Sequence, residues 1–305
     1  ANSVDCGGDR AGTPFENFAA CAGLGGSLNI ISESFDVSTD DDWDDFSPKV
    51  AVEFHPSDGI LLFASASKGF KSGGFAGSQG VEAAATDPVD PEIAWNYELG
   101  FKGDLLDNSL RLNLTAFYTD YEDLQIVRFG PVPGSEFGTF QTTNIGEAEI
   151  LGAEVEFTWH VTENFRFSGN YAYLDTEVDD LIINTTGGEV DASGSDLRQA
   201  PENSVSISLA YSVPTDAGNF DARLDYSNID EQITDYINQD TVVERAELWD
   251  GRIAWNSPNE KWEVALWGKN LLDSDYFSHS YVIGPGVIGV WGAPRTFGVS
   301  ATWNL

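Results

Sequence analysis

The sequence predicts an all-β protein, an antiparallel transmembrane β-barrel, and three observations lead to that prediction. Apolar and polar residues alternate with a period of two in eleven separate runs. These runs are about ten residues long, which suits a tilted strand that crosses a bilayer better than an ordinary globular strand. The connections between the runs are alternately short and long, as they are in barrels of the bacterial outer membrane.

The clearest alternation lies in residues 92–102. One side of this run carries Ile93, Trp95, Tyr97, Leu99 and Phe101, and the other carries Asn96, Glu98, Gly100 and Lys102. Side chains of a strand alternate between its two faces, so one face suits lipid and the other suits water. A soluble β-sandwich would show the same alternation. Aromatic residues at the ends of the apolar stripes favour the membrane, where they form interfacial girdles; they are Trp95, Tyr118, Trp159, Tyr211, Trp255, Trp262, Trp267 and Trp303.

The order of the elements follows from these runs. We place strands at about 48–55, 60–70, 92–102, 109–121, 147–159, 165–177, 202–213, 220–231, 247–256, 261–270 and 295–304. The short connections are rich in turn-forming residues and are expected in the periplasm; they are 56–59, 103–108, 160–164, 214–219 and 256–260. The long connections are therefore expected outside the cell; they are 71–91, 122–146, 178–201, 232–246 and 271–294.

The domain organisation follows from counting strands back from the periplasmic end. Eleven strands place residue 1 outside the cell, so we assign 1–47 to an extracellular loop segment and 48–305 to the barrel. Bacterial single-chain barrels normally have even strand numbers. The sequence also contains no secretory signal and no methionine. We therefore expect this chain to be the C-terminal part of a larger protein.

Several stretches resemble one family, the TonB-dependent outer-membrane receptors. They are FASASKGFKSGGF at 63–75, PEIAWNYELGFK at 91–102, RQAPEN at 198–203, GKNLLD at 268–273 followed by Tyr276 and Phe277, and PRTFG at 294–298. Their order and spacing also match the family, and together they cover the chain from about residue 47 to its end. The resemblance implies a 22-stranded barrel, of which this chain supplies the last eleven strands, closed by an N-terminal plug domain.

The same resemblance implies a function and a set of partners. Such receptors import a scarce small-molecule ligand, classically a ferric siderophore, haem, cobalamin or a carbohydrate, through the outer membrane. Energy comes from the inner-membrane TonB complex, which acts through the plug. The partners implied are outer-membrane lipid and lipopolysaccharide, the absent plug and barrel half, the TonB complex and the ligand. A passive diffusion porin and a surface adhesin are the alternatives.

Ligand contacts are expected in the outer loops, because binding residues concentrate on loops held by a rigid scaffold. The candidates are the aromatic residues Phe75, Phe129, Phe137, Phe140, Tyr236, Tyr281 and Trp291. His279 is the one outer-loop residue that could serve a haem as axial ligand. The three histidines are too dispersed for a catalytic arrangement, so we predict neither an enzyme nor a cofactor.

The two cysteines, Cys6 and Cys21, are expected to form a disulfide in the N-terminal loop segment. Proteins assembled in the periplasm meet an oxidising compartment. Closing a loop of about 15 residues is worth roughly 3 kcal/mol in the chain-entropy model. A metal site is the alternative, but it lacks a neighbouring histidine or second cysteine pair.

The charge of the chain excludes one class of partner. Fifteen basic and 50 acidic residues give a formal net charge of −35, which argues against nucleic-acid binding. The acid is concentrated in predicted loops, as at 36–45 and 177–180. Such loops are a solvated surface or bind divalent cations; because their spacing matches no calcium-loop motif, we assign no metal ligands.

Overall fold

Eleven long strands form one antiparallel sheet in which each strand pairs with the next long strand of the chain. The computed structural model describes residues 36–75, 82–130, 139–185, 188–237, 242–283 and 286–304. The long strands are β1 (Lys49–Ser57), β2 (Ile60–Lys71), β5 (Glu92–Leu105), β6 (Leu110–Glu122), β9 (Ala148–His160), β10 (Phe165–Val178), β13 (Asn203–Thr215), β14 (Gly218–Ile229), β17 (Ala246–Asn256), β18 (Trp262–Lys269) and β21 (Thr296–Trp303). The predicted all-β class and the eleven predicted strands are confirmed.

The long connections contain five small hairpins that the sequence did not predict. They pair β3 (Gly74–Phe75) with β4 (Pro88–Val89), β7 (Leu124–Gly130) with β8 (Thr139–Ile145), β11 (Ile182–Thr185) with β12 (Gly188–Asp191), β15 (Gln232–Ile233) with β16 (Val242–Val243), and β19 (Phe277–Ile283) with β20 (Gly286–Trp291). A helix of four residues, α1 (Glu82–Ala85), lies in the first of these connections. Among the described residues, no helix is long and apolar enough to cross a membrane.

Tight turns close the opposite end of the sheet. Asp58 and Gly59 join β1 to β2, where Ser57 pairs directly with Ile60. Gly59 has a φ of +75°, a left-handed conformation that glycine adopts without the steric cost of a Cβ atom. The turn and the hairpins therefore lie at opposite ends of the strands, as the alternation of short and long connections predicts.

The register of the strands separates an apolar face from a polar face. On β6, Leu112 pairs with Gly103 and Phe157, whereas Asn113 pairs with Lys102 and Glu156. Large side chains on the apolar face are exposed: Val52 is 67% exposed, Leu99 65% and Val299 70%. A sheet face that exposes so many hydrophobic side chains suits lipid rather than water.

One residue of the predicted aromatic girdle lies on the other face. Trp267 pairs with Arg252 and Gly298, and Arg252 donates to Glu263, which lies on the same face of β18 as Trp267. The Trp267 ring covers Gly298 so closely that a Cβ atom there would overlap the ring carbons. Trp267 thus fills the space left by a glycine on the polar wall, and the prediction that it lies in the girdle was wrong.

The two outermost strands of the sheet each have one neighbour. β1 pairs with β2 and β21 pairs with β18, and the described residues contain no ladder between β1 and β21. All nine residues of β1 are exposed. The sheet is therefore open at both edges.

Most buried hydrophobic residues of the described part cluster where the long connections, which we call the outer connections, meet the ends of β9 and β10, whereas Ala254 and Ala265 are buried in the wall itself. Leu181 and Val178 are the largest fully buried side chains of the described part. The cluster comprises Ile126, Ile145, Ala148, Val178, Leu181, Ile183, Ala192 and Tyr236, with Tyr121, Leu124, Leu197 and Ile233 packed against it. We call this set the loop cluster.

Candidate ligand-binding site

The polar face of the wall carries a hydrogen-bonded network that crosses three strands. Ser65 on β2 donates to Glu98 on β5 at 3.3 Å, and Asn96 donates to Glu98 at 2.9 Å. Thr119 on β6 donates to Asn96 at 2.8 Å. These side chains satisfy one another across neighbouring strands, which holds their positions on the wall.

Charged pairs continue this polar face toward the other edge of the sheet. Arg223 lies 2.8 Å from Asp225 on β14, and Arg252 on β17 lies 2.6 Å from Glu263 on β18. Arg223 and Arg252 are directly opposed in the ladder. Each of the two guanidinium groups has a carboxylate partner of its own, which offsets the repulsion between the two neighbouring positive charges.

Hydrogen bonds join the outer connections to one another. The side-chain amide of Asn144, on β8, donates to the carbonyl oxygens of Asp90 and Asp123, and the Asp90 amide donates back to Asn144 at 2.8 Å. Thr234 and Ser280 are joined by a hydrogen bond of 2.9 Å. These bonds tie together connections that follow different strands.

A polar cavity of about 660 Å³ opens beside the outer end of β10. Its lining includes five carboxylates and one guanidinium, from Asp175, Asp196, Glu202, Asp230, Glu231 and Arg245. Arg245 lies 3.6 Å from Asp230. Within the described ranges, no group of three or more histidine, cysteine or acidic side chains is arranged to hold a metal ion.

The predicted aromatic contacts fall in three different surroundings. Phe75 packs edge to face against Trp43, with ring centroids 5.9 Å apart. Tyr236 is 5% exposed within the loop cluster, and the guanidinium of Arg198 lies 5.0 Å from the centre of its ring. Tyr281 and Trp291, on the β19–β20 hairpin, are 37% and 65% exposed.

For the remaining predicted site residues, the structure describes the backbone of two and leaves three outside its described ranges. Phe129 and Phe140 are direct backbone partners in the β7–β8 hairpin, and their side chains lie outside the described part. Phe137, and the cysteines Cys6 and Cys21, lie outside the described residues. Their predicted roles stay predictions.

Trp43 and Arg198 are contacts that sequence reasoning missed. Trp43 lies in a coil among acidic residues, and its indole ring occupies the space that a Cβ atom on Gly73 would need. Arg198 belongs to the RQAPEN motif, but that motif carries no sign that its first residue covers Tyr236. Neither contact follows from periodicity, because both join segments that are distant in sequence.

The ionisable groups of the outer segments respond to their neighbours. Burial raises the pKa of Tyr236, although hydrogen bonds and the charge of Arg198 act in the opposite direction. The ion pair with Lys68 and a hydrogen bond from Ser47 lower the pKa of Asp45. Hydrogen bonds from Ser193 lower the pKa of Asp191.

The chain is similar in sequence and in fold to several outer-membrane receptors. The chain is 35% identical over 165 residues to the metal-pseudopaline receptor CntO of Pseudomonas aeruginosa, an alignment that covers 54% of this chain and 20% of that protein. The crystal structure of the ferric yersiniabactin uptake receptor FyuA from Yersinia pestis superposes with a TM-score of 0.68 at 19% identity, covering 84% of this chain and 36% of that chain. The siderophore receptor PiuA from Acinetobacter baumannii superposes with a TM-score of 0.67 at 22% identity, covering 83% and 35%.

The chain thus spans about a fifth of the length of CntO and about a third of the lengths of FyuA and PiuA. The two structural likenesses show the fold. A family model described as "TonB dependent receptor-like, beta-barrel" matches residues 23–271, which is more than half of the 305 residues. This chain therefore belongs to the TonB-dependent receptors of the outer membrane and forms part of their β-barrel.

Proposed function

We propose that this chain is the ligand-facing wall of a receptor that binds a small metal chelate outside the cell and imports it with energy from the TonB complex. The observation that carries the proposal is the packed set of outer connections that stands at the end of a hydrogen-bonded polar wall. Binding residues concentrate on loops held by a rigid scaffold. Relatives include receptors described as binding metal-pseudopaline and ferric pyoverdine, which favours a chelated metal as cargo.

The barrel itself is proposed to continue beyond the two open edges of the sheet. Backbone groups that stay unpaired in lipid cost several kcal/mol each, so β1 and β21 each require another strand. A complete barrel of 22 strands would supply a neighbouring strand for both β1 and β21, and an N-terminal plug would lie inside it. Under this proposal residues 48–305 form the barrel and residues 1–47 form an extracellular connection, braced by the disulfide between Cys6 and Cys21.

Ligand contact is proposed for the exposed aromatic residues of the β19–β20 hairpin. Tyr281 stacks beside His279, with ring centroids 5.9 Å apart, and both Tyr281 and Trp291 are open to solvent. An aromatic ring presents a large rigid surface at a small entropic cost. Phe75, Phe129, Phe137 and Phe140 extend the same proposal to the other outer connections, whereas Tyr236 would contribute through the loop cluster in which it is packed.

Charge sets which chelates the site would accept. The polar cavity holds five carboxylates against one guanidinium, and the chain as a whole has a formal net charge of −35. Like charges repel across a binding surface and slow association. We therefore expect neutral or cationic chelates to bind more tightly than anionic ones.

The experiment is uptake of a radiolabelled ferric chelate by cells that carry the complete receptor and lack other receptors for it. We expect uptake that is lost when TonB is deleted. Tyr281→Ala should weaken binding by about fivefold, or about 1 kcal/mol, the contribution typical of an aromatic contact. Val287→Ala is the matched control, since Val287 is exposed on the same hairpin and should bind as the native protein does.

Two results would contradict the proposal. Uptake that persists without TonB would favour a diffusion porin. Equal affinity for Tyr281→Ala, Val287→Ala and the native receptor would remove the hairpin from the binding site.

A further inference from the structure

Two of the stretches that carry the family resemblance lie at the two ends of the last long connection, 271–294. GKNLLD at 268–273 contains the last residues of β18 and the first residues of this connection, and PRTFG at 294–298 leads into β21. The β19–β20 hairpin, with the proposed ligand contacts Tyr281 and Trp291, lies between them. The two motifs therefore form the base of this hairpin.

Asn270 joins the two ends of the connection to each other. Its side-chain amide donates to the carbonyl oxygens of Ser274 at 2.9 Å and of Ala293 at 3.2 Å, and its side-chain oxygen accepts a hydrogen bond from the Ser274 amide at 2.8 Å. Asn270 is 4% exposed, and these bonds use both amide hydrogens and the oxygen of its side chain. One buried side chain thus spans the gap between the start and the end of the connection.

A left-handed backbone at two positions turns the chain after β18. The φ angle is +49° at Asn270 and +59° at Asp273, and the Asp273 amide donates to the Asn270 carbonyl at 2.9 Å. Asparagine and aspartate adopt this conformation more readily than most other residues that have a side chain. The residue types at 270 and 273 therefore suit the turn as well as the polar contacts.

The turn is tied to both faces of the wall. Asp250, which lies on the polar face with Arg252, accepts a hydrogen bond from the Asn270 amide at 2.9 Å. On the apolar face, Leu271 packs over Gly268, where a Cβ atom would lie 2.6 Å from a methyl carbon of Leu271. These contacts fix the position of the turn relative to the strands.

Arg295 and Asp273 join the two motifs directly. The Arg295 guanidinium donates to Asp273 at 3.1 Å and to the Leu271 carbonyl at 3.4 Å, and the Arg295 amide donates to Asp273 at 3.2 Å. The side chains of Arg295 and Asp273 are 41% and 51% exposed. Exposed ion pairs contribute little to stability, whereas a buried polar group left without its partners is costly. The buried Asn270 is therefore the stronger contact of the base.

Contacts farther along β19 hold the flank of the hairpin. Ser280, which is 3% exposed, shares a hydrogen bond of 2.9 Å with Thr234 and donates to the Val242 carbonyl at 3.4 Å. These bonds lie away from the base. Loss of the Asn270 side chain should therefore change the orientation of the hairpin without detaching it from its neighbours.

We propose that Asn270 is the positioning residue of the β19–β20 hairpin. By holding both ends of the connection together, it keeps the hairpin in one orientation, in which Tyr281 and Trp291 meet the chelate. Without this side chain the hairpin would adopt several orientations, and binding would have to restrict it again at an entropic cost. The effect on affinity rests on the proposed function, whereas the effect on orientation does not.

The first test measures the orientation of the hairpin without a ligand. Nitroxide side chains at Val287 on the hairpin and Val299 on β21, which are 60% and 70% exposed, report the distribution of distances between them in the complete receptor in nanodiscs, by pulsed electron paramagnetic resonance. Asn270→Gly tolerates the left-handed backbone and removes the side chain, and we expect it to make the distribution at least twice as wide. Leu272→Ala is the matched control, because Leu272 lies in the same motif and is 67% exposed. It should leave the width unchanged.

The second test measures the affinity of the complete receptor for radiolabelled ferric pyoverdine, the kind of chelate named for three of the relatives. Asn270→Gly and Tyr281→Ala should each weaken binding by about fivefold. Because both remove the same contact, the double variant should also lose about fivefold, rather than the roughly 25-fold expected for independent sites. A residue that merely stabilised the barrel would show no such coupling.

Two results would overturn the inference. One is an unchanged distance distribution in Asn270→Gly, and the other is a double variant that loses about 25-fold in affinity. If Tyr281→Ala binds as the native receptor does, the proposed ligand contact of the hairpin fails, and the distance distribution still decides the role of Asn270. It also decides alone where the native receptor does not bind ferric pyoverdine.

Heat-modifiable migration shows whether each variant is folded. Where Asn270→Gly does not fold, Asn270→Asp replaces it in both tests. This variant keeps an acceptor for the Ser274 amide and loses both side-chain donors, so it should also widen the distance distribution. An Asn270→Asp receptor with the native distribution would overturn the inference as well.

Discussion

The barrel wall and the outer loop cluster use the same hydrophobic residue types in opposite ways. On the wall, Val52, Leu99 and Val299 are about two-thirds exposed. In the loop cluster, Val178 and Leu181 are fully buried. The wall is held by its ladder of backbone hydrogen bonds and leaves its apolar face to the bilayer. The outer connections stand beyond the bilayer, so they must bury their own apolar surface as a soluble domain does.

This difference separates two kinds of mutational damage. A cavity in the loop cluster should loosen the outer connections more than the wall, because the cluster joins the wall only at the ends of β6, β9 and β10, through Tyr121, Ala148 and Val178. A charge on the apolar face should damage insertion of the wall and spare the packing of the loops. Substitutions in the two regions should therefore change different measurements.

The largest effect is expected for Leu181→Ala. Truncating a buried leucine costs about 2–5 kcal/mol through lost transfer energy and the cavity left behind. The outer connections should become sensitive to protease on intact cells, while the barrel keeps its heat-modifiable migration. Ile182→Ala is the control, since the neighbouring Ile182 is 50% exposed. Equal protease sensitivity of the two variants would contradict the role of the cluster.

A slightly smaller effect is expected for Leu112→Arg. An arginine on the lipid face costs about 2–4 kcal/mol near the bilayer midplane. Asn113→Arg should be mild, because Asn113 lies on the polar face and already donates to Glu156 at 3.1 Å. Folding into lipid vesicles at increasing urea concentration measures both costs. Equal costs would show that the two faces are wrongly assigned.

A pH-dependent effect is expected for Tyr236. Burial raises its pKa, so the neutral phenol favours the folded loops. That contribution is complete below the ordinary tyrosine pKa of about 10 and is lost as the pH rises through the folded-state pKa. Proteolysis of the outer connections should therefore increase at alkaline pH, and Tyr236→Phe should remove that part of the increase. If proteolysis of Tyr236→Phe depends on pH as it does in the native protein, a group other than Tyr236 causes the increase at alkaline pH.

The smallest effect is expected at the ion pair between Asp45 and Lys68. Lys68 lowers the pKa of Asp45, so the pair is complete above the ordinary aspartate range and is lost as the pH falls through the lowered folded-state pKa. Asp45→Asn should speed hydrogen exchange in residues 36–48 at neutral pH. Asp44→Asn, at an exposed neighbouring position, should not. The same exchange rate in both variants would show that the pair does not hold this segment.

The sequence predicted the wall more fully than the loops, for physical reasons. Strand β5 carries five apolar residues at alternate positions, Ile93 to Phe101, and a period of two sustained over about ten residues is typical of a strand with one apolar side. The β11–β12 hairpin has four residues in each strand, which is too short to show a period. Its burial depends on residues more than fifty positions away in sequence, such as Ile126.

The sequence predicted only part of the candidate site, because it shows which residues lie in a connection but not which connections contact one another. Aromatic residues in the outer connections were visible in the sequence, and Tyr281 and Trp291 do lie on an exposed hairpin. Sequence could not tell that Tyr236 is packed, since its partner Arg198 lies in a different connection. The misplaced Trp267 has a different origin, because the period of two within β18 already places Trp267 on the face opposite to Trp262 and Leu266.

The most direct test of the account is expression of these 305 residues alone, followed by folding into lipid vesicles. The open edges of β1 and β21 would leave backbone groups unpaired in lipid at several kcal/mol each. We therefore expect no heat-modifiable band, no protease-resistant core and no conductance in a planar bilayer. Under the proposed 22-strand barrel, adding the further strands to the same chain should restore all three. A heat-modifiable, protease-resistant and conducting protein made of the 305 residues alone would contradict the account and favour a small closed porin.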